Sequence, residues 1–176
     1  MGVSLDGFIA GPGDAIDWSV PGEELHRFHN EQAREVGLHL YGRKLYETMR
    51  FWDSLEPPEP DVMLEFAEIY RATPKLVFST TLSQVEGNAT LASGDPVEEV
   101  TRLKQEPGAD LAVGGAGLAA PLVAAGLVDE YRLFVSPVVL GAGTPFFPPL
   151  EERIELELLE TRTFADRAVY LRYGAL

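Results

Sequence analysis

Two glycine-bearing segments could hold a phosphate. Gly114-Gly115-Ala116-Gly117 lies between the apolar run Leu111-Ala112-Val113 and a helical pattern reaching Ala125. Glycines at a strand-to-helix turn let backbone N–H groups approach a pyrophosphate lying on the positive end of the helix dipole. A tight turn that binds nothing has the same pattern. Gly42-Arg43-Lys44 follows Leu38-His39-Leu40-Tyr41 and precedes a breaker-poor stretch to Met49, so a second such turn sets two cations beside free amides. Two turns say more than one, although Arg43 and Lys44 also read as solvated surface cations.

Acids crowd the opening segment at Asp6, Asp14, Asp17, Glu23 and Glu24, and paired carboxylates can do acid/base work. Glu23 stands out because Trp18 could wall an apolar pocket and raise a carboxyl pKa. Helix-start charge explains the same residue, and from the sequence alone it is the somewhat stronger explanation. His26 and His29, three apart, share a helix face, but no third ligand is near and no metal is expected. Ser79, Thr80 and Thr81 lack the Gly-x-Ser-x-Gly surround of a nucleophile, so the expected role is capping or binding.

The elements that must position these residues follow from hydrophobic period and breakers. Met1 to Leu5 reads as the end of a strand, and Asp6 to Asp14 as a loop dense in turn residues. Pro21-Gly22-Glu23-Glu24 opens a helix over 22–36, and further helices are expected over 43–49, 61–71, 96–105 and up to Ala125. Strands are expected at 38–41, 75–78, 89–92 and 111–113. Alternation of this kind builds a largely parallel sheet covered on both faces. Tyr131 to Val135, Ile154 to Thr163 and Ala168 to Tyr173 are strands with no helical pattern between the last two, so the sheet finishes antiparallel.

With 176 residues, 45% of them hydrophobic, the chain suits one folded domain over 1–176. A net charge of −14 repels nucleic acid and anionic membranes, and no basic patch offsets it. The absence of cysteine removes disulfides, thiolate metal sites and a cysteine nucleophile. No run is long enough to cross a bilayer and no export signal is visible, so a soluble cytoplasmic protein is the expectation.

Taken in order, Ser4-Leu5-Asp6-Gly7-Phe8-Ile9-Ala10, Ile16-Asp17-Trp18, Gly42-Arg43-Lys44-Leu45-Tyr46-Glu47, Val113-Gly114-Gly115-Ala116-Gly117-Leu118 and Pro137-Val138-Val139-Leu140-Gly141-Ala142-Gly143-Thr144-Pro145-Phe146-Phe147 resemble the dihydrofolate reductase superfamily. The resemblance is closer to the branch containing the C-terminal reductase domain of bifunctional riboflavin-biosynthesis deaminase-reductases. It implies a three-layer α/β fold, a mixed, mostly parallel central sheet with an antiparallel C-terminal hairpin, and a cytoplasmic homodimer. It further implies an NADPH-dependent oxidoreductase that reduces a small pterin-like or pyrimidine-like heterocycle, with NADH as the other candidate cofactor. The resemblance places Gly42, Arg43, Lys44, Gly114, Gly115, Ala116, Gly117 and Leu118 on the cofactor phosphates and Ser79 and Thr80 at the adenosine 2′-phosphate. Glu23, Asp6 and Thr144 become the catalytic candidates, and Trp18 and Phe146 contact substrate. The chain departs from the family in having few residues before Ser4, no arginine after Ser79, and Leu45 where a threonine is common. These departures keep open a second function, a non-catalytic nucleotide- or metabolite-binding module on the same fold.

Overall fold

The computed structural model describes residues Met1–Leu176. Contacts divide the chain into two compact units, one formed by Met1–Leu25 with Val123–Leu176 and the other by His26–Leu122.

In the first unit, β1 (Gly2–Ser4) runs parallel to β7 (Glu130–Ser136), with Val3 opposite Val135. β10 (Val169–Ala175) pairs antiparallel with β7 and with β9 (Leu156–Thr163), giving the order β1-β7-β10-β9. The antiparallel finish expected from the sequence is present. Tyr170 is fully buried in this sheet and Phe134, on the neighbouring strand, stacks 4.9 Å from it. A separate two-stranded ribbon joins β2 (Phe8–Ala10) to β8 (Thr144–Pro145). The sequence reads Phe8–Ala10 as part of a loop and assigns no element at Thr144–Pro145, because strands of three and two residues show no period. Short 3₁₀ turns at Pro12–Asp14 and Asp17–Ser19 complete the opening segment.

The second unit holds a wholly parallel sheet. β3 (Val36–Gly42) lies between β4 (Lys75–Phe78) and β6 (Asp110–Gly114), and β5 (Ala89–Leu91) pairs outside β4. Helices connect the strands: α2 (Arg43–Met49), α3 (Asp61–Ala72) and α4 (Pro96–Leu103). α1 (Glu23–Ala33) and α5 (Ala116–Ala124) carry the chain from one unit to the other. One face of the sheet buries Tyr41 and Val77 with Tyr46 and Tyr70, flanked by Leu45, Met49, Trp52 and Phe66. Complete burial of Val77 and near-complete burial of Tyr70 stabilise the sheet by about 1.5–3 kcal/mol each.

α1 stops at Ala33, short of the expected end, and β3 begins at Val36. Gly37, the glycine at which the expected helix gives way to strand, lies inside β3. A Cβ there would lie 2.8 Å from the Ala109 side chain, so the glycine serves close packing against the segment entering β6. α4 starts where Asp95 caps the amides of Val97 and Glu98 and ends two residues earlier than expected.

Candidate functional site

The order β5-β4-β3-β6 places the carboxyl ends of four parallel strands along one edge. The chain goes from β3 outward to β4 and β5, then crosses to β6 on the other side of β3. The β3–β6 gap is therefore a topological switch point, where α/β sheets open a crevice for ligands. Both glycine turns stand there, since Gly42 ends β3, Gly114 ends β6, and Tyr41 pairs with Gly114.

Three backbone features make the crevice suitable for an anion. Gly42, at φ −75° and ψ 161°, precedes α2 with no side chain capping the helix. Gly115 has φ +94°, a left-handed conformation that disfavours side chains, and a Cβ there would sit 4.0 Å from the Gly42 nitrogen. Gly117 is exposed, with open space where a Cβ would be built. Leu45 fills the gap between the turns: a methyl on Gly114 would overlap its Cδ2. Arg43 pairs with Glu47 at 2.9 Å, and Lys44 is exposed beside it. Uncapped amides, glycines that allow close approach and two cations fit the diphosphate of a dinucleotide. At the end of β4, the Ser79 hydroxyl accepts from the amides of Thr81 at 3.1 Å and Leu82 at 3.0 Å, while Thr80 is exposed.

The first unit brings Asp6 and the 137–147 loop together. Asp6 accepts the Ser4 hydroxyl at 2.7 Å, the Leu140 amide at 3.1 Å and the Gly141 amide at 2.7 Å. The Ser4 hydroxyl, then the Gly141 and Leu140 amides, hold its carboxyl at about 2, against the partial desolvation that works the other way. Ser4 also accepts the Phe8 amide at 2.9 Å, and the Phe146 amide donates to the Gly7 carbonyl at 2.8 Å. Thr144 pairs with Ala10 across the ribbon and is half-buried. Phe146 stands edge-on to Phe147, which packs against Tyr131.

The model of the RibD C-terminal domain family matches residues 1–170. This chain belongs to that family. The uncharacterised protein YyaP of Bacillus subtilis (strain 168) is 35% identical over 98% of this chain and 91% of its own. A riboflavin-biosynthesis protein of Shewanella sp. PV-4 superposes with a TM-score of 0.80 at 23% identity, over 100% of this chain and 96% of that one. Dihydrofolate reductase from Enterococcus faecalis, complexed with NADP(H), gives 0.63 at 18% identity over 99% and 92%. Reductase domains of riboflavin-biosynthesis proteins also share the fold. The RibD C-terminal family is thus of reductase type, on a dihydrofolate-reductase-like fold.

Within this RibD C-terminal domain the expected residues fall into separate groups. Gly42, Arg43, Lys44, Gly114, Gly115, Ala116, Gly117 and Leu118 share the crevice edge, and a Cβ on Gly42 would lie 3.6 Å from Leu118. Asp6, Thr144 and Phe146 lie along the β2–β8 ribbon and its loops. Trp18 is half-buried in a 3₁₀ turn, its indole N–H donating to the Ala15 carbonyl at 3.1 Å. Glu23 is the exposed first residue of α1, a start fastened by Glu24 to Arg162 and the Ala165 amide and by the Gly22 amide to Asp166. His26 meets Asn30 at 3.2 Å and stands edge-on to Trp52 and Phe66; no group of three His, Asp or Glu side chains converges to hold a metal. No helix is long and apolar enough to cross a membrane. Sequence reasoning missed Ser4 and Gly143, and it read Leu45 only as a lost hydroxyl. Gly143, at φ +144°, has no room for a Cβ against the Ala10 carbonyl, and its place two residues after Gly141 was the available signal.

Proposed function

We propose that the protein is a reductase that binds a nicotinamide dinucleotide across the two glycine turns and reduces a small pterin-like or pyrimidine-like heterocycle. The observation that carries the reading is the placement of Gly42 and Gly115 side by side at the switch point, with Arg43 and Lys44 beside them. Family membership and the NADP(H) complex of the Enterococcus faecalis enzyme support it.

In this reading the nicotinamide supplies the hydride, and the chain supplies position and a proton. The amides at Gly115, Ala116 and Gly117 and the Arg43 and Lys44 charges bind the diphosphate. Leu118 packs behind Gly42, and Ser79 and Thr80 face the ribose half. Trp18 and Phe146 wall the substrate, with Glu23 and Thr144 handling the proton. Asp6, ionised at neutral pH with both oxygens engaged, holds the 137–147 loop and hence Thr144 and Phe146.

Titration with NADPH and NADH, followed by nicotinamide fluorescence, tests the reading. Saturable binding that weakens at least tenfold in Arg43→Ala and Gly115→Val is expected, and turnover found in a pterin and pyrimidine screen should fall in Glu23→Gln. If neither nucleotide binds at millimolar concentration, the reading fails. The exposure of Glu23 and the full engagement of Asp6 favour one second reading, a nucleotide-binding module without turnover. Nucleotide binding with no reduction of any compound in the screen would select it.

A further inference from the structure

β9 is the longest strand of the chain, with eight residues, and it lies at the edge of its sheet with β10 on one side only. Six of those residues are exposed, Leu158 at 51% and Leu159 at 49% among them. Edge strands are ordinarily blunted by short length, lysine, proline or an inward-pointing charge, because an open row of amides and carbonyls recruits another strand. β5, at an edge of the parallel sheet, has only three residues. β9 is long and contains neither lysine nor proline.

The register with β10 fixes which side chains of β9 share a face. Glu157, Glu160 and Arg162 stand opposite Gly174, Arg172 and Tyr170, which alternate along β10, so they lie on one face. Leu156, Leu158, Thr161 and Thr163 stand opposite Ala175, Tyr173, Leu171 and Val169 and lie on the other, which carries no charge. A bulge leaves Leu159 without a partner, and its Cδ1 lies 3.3 Å from where a Cβ on Gly174 would be built, which puts Leu159 on the charged face. Two successive residues, Leu159 and Glu160, therefore share a face at the middle of the strand. The order of faces along β9 is in consequence the same read from either end, which a strand of eight residues without the bulge does not achieve.

Antiparallel pairing of β9 with the same strand of a second copy has one alignment that uses all eight residues. It sets Leu156 opposite Thr163, Glu157 opposite Arg162, Leu158 opposite Thr161 and Leu159 opposite Glu160, each pair occurring twice and each on a common face. Glu157 is exposed, and Arg162, although it reaches Glu24 at 3.2 Å, keeps 43% of its side chain in solvent. Glu160 has Arg172 of its own chain at 3.9 Å. Parallel pairing would instead set Glu157 against Glu157 and Arg162 against Arg162, which is unfavourable. We infer that the free edge of β9 is the docking surface for a second copy of this chain, paired antiparallel about a two-fold axis between Leu159 and Glu160. The contact is isologous and joins two four-stranded sheets into one of eight strands.

An edge pairing buries less than the roughly 800 Å² per partner of a standard interface, so a dimer that dissociates on the order of 10 µM is expected. Sedimentation velocity of the intact protein, at concentrations spanning that value, tests this. Glu157→Arg sets two cations against each other at both ends of the pairing and should weaken the dimer about tenfold. Arg162→Glu should do the same with two acids. Mixed in equal amounts, the two variants regain opposite charges at both ends and should associate at least as tightly as the natural sequence, which damage to the fold of either would not produce. A single monomeric species at every concentration would overturn the inference. So would a dimer unchanged in both variants, which would place the contact elsewhere, or a mixture no tighter than either variant alone.

Discussion

Leu45 occupies the space that a side chain on Gly114 would need. The leucine Cδ2 lies where a Cβ would be built, and Leu45 Cβ is 3.6 Å from the equivalent point on Gly115. The two glycine turns are thus spaced by an apolar side chain, and the residue that costs the cradle a hydroxyl also sets its width. Gly114→Ala is expected to destabilise the protein by roughly 1–3 kcal/mol through overpacking. In a Leu45→Ala background the same change should cost less than half as much, because the obstructing atom is gone. Urea unfolding of the four proteins in this double-mutant cycle measures the coupling; additive losses would mean that Gly114 is required for something other than Leu45.

Asp6 fastens the 137–147 loop through two backbone amides. Asp6→Asn leaves one oxygen to accept and turns an NH₂ group toward a donor, so amide exchange at Leu140 and Gly141 should quicken at least tenfold. The sign of the pH effect follows from the direction of the shift. A carboxyl held at about 2, below its ordinary value near 3.8, contributes stability that is present above the ordinary value and lost as pH falls through about 2. Protection of these two amides should therefore survive at pH 4 in the natural sequence and fade only toward pH 2. Hydrogen exchange read by mass spectrometry decides it, and unchanged exchange in the asparagine variant would show the loop to be held elsewhere.

The parts of this arrangement readable in advance were those encoded locally. Gly42 followed by Arg43 to Met49 has a strand behind it and no breaker ahead, and α2 begins and ends on those residues. Val77 and Phe78 carry the apolar run of a strand buried on both faces, and β4 spans the expected positions. What stayed hidden depends on residues distant in sequence. Gly37 looks like a helix stop until Ala109 is found against it, and Ser4 looks like an ordinary hydroxyl until Asp6 and Phe8 are seen to share it. The two glycine turns were recognisable because such turns are local motifs. Trp18 sits in a short 3₁₀ turn whose periodicity carries no information, whereas Glu23 opens α1 at the helix start that its neighbouring acids indicate.

Of the glycines in the first unit, Gly143 leaves the least room for a Cβ. A Cβ there would overlap the Ala10 carbonyl oxygen and press on the Gly11 Cα at 3.1 Å, and its φ of +144° is itself unfavourable for other residues. Neither obstacle is a flexible side chain that could swing away. Gly143→Ala should therefore detach β8 from β2, releasing Thr144 and opening the loop to protease. Limited proteolysis should cut within 139–146 in the variant and spare the natural sequence. Equal resistance in both would mean that the ribbon can shift to accept a methyl group.

His39 lies beside Lys75 across the β3–β4 ladder and stacks on Tyr41 at 5.2 Å. Burial, helped by the Lys75 charge, lowers its pKa from 6.5 to about 4, so the folded protein holds a neutral imidazole where the unfolded chain takes up a proton. The unfolded state binds more protons between those values, so this group makes stability fall as pH drops from about 6.5 to about 4 and level off below. A shift of that size corresponds to a loss of about 3 kcal/mol at most. His39→Phe keeps a ring against Tyr41 and removes the titration. Subtracting its unfolding free energy from that of the natural sequence, pH unit by pH unit, should leave a slope confined to that window. A flat difference would place His39 in contact with solvent in the folded state.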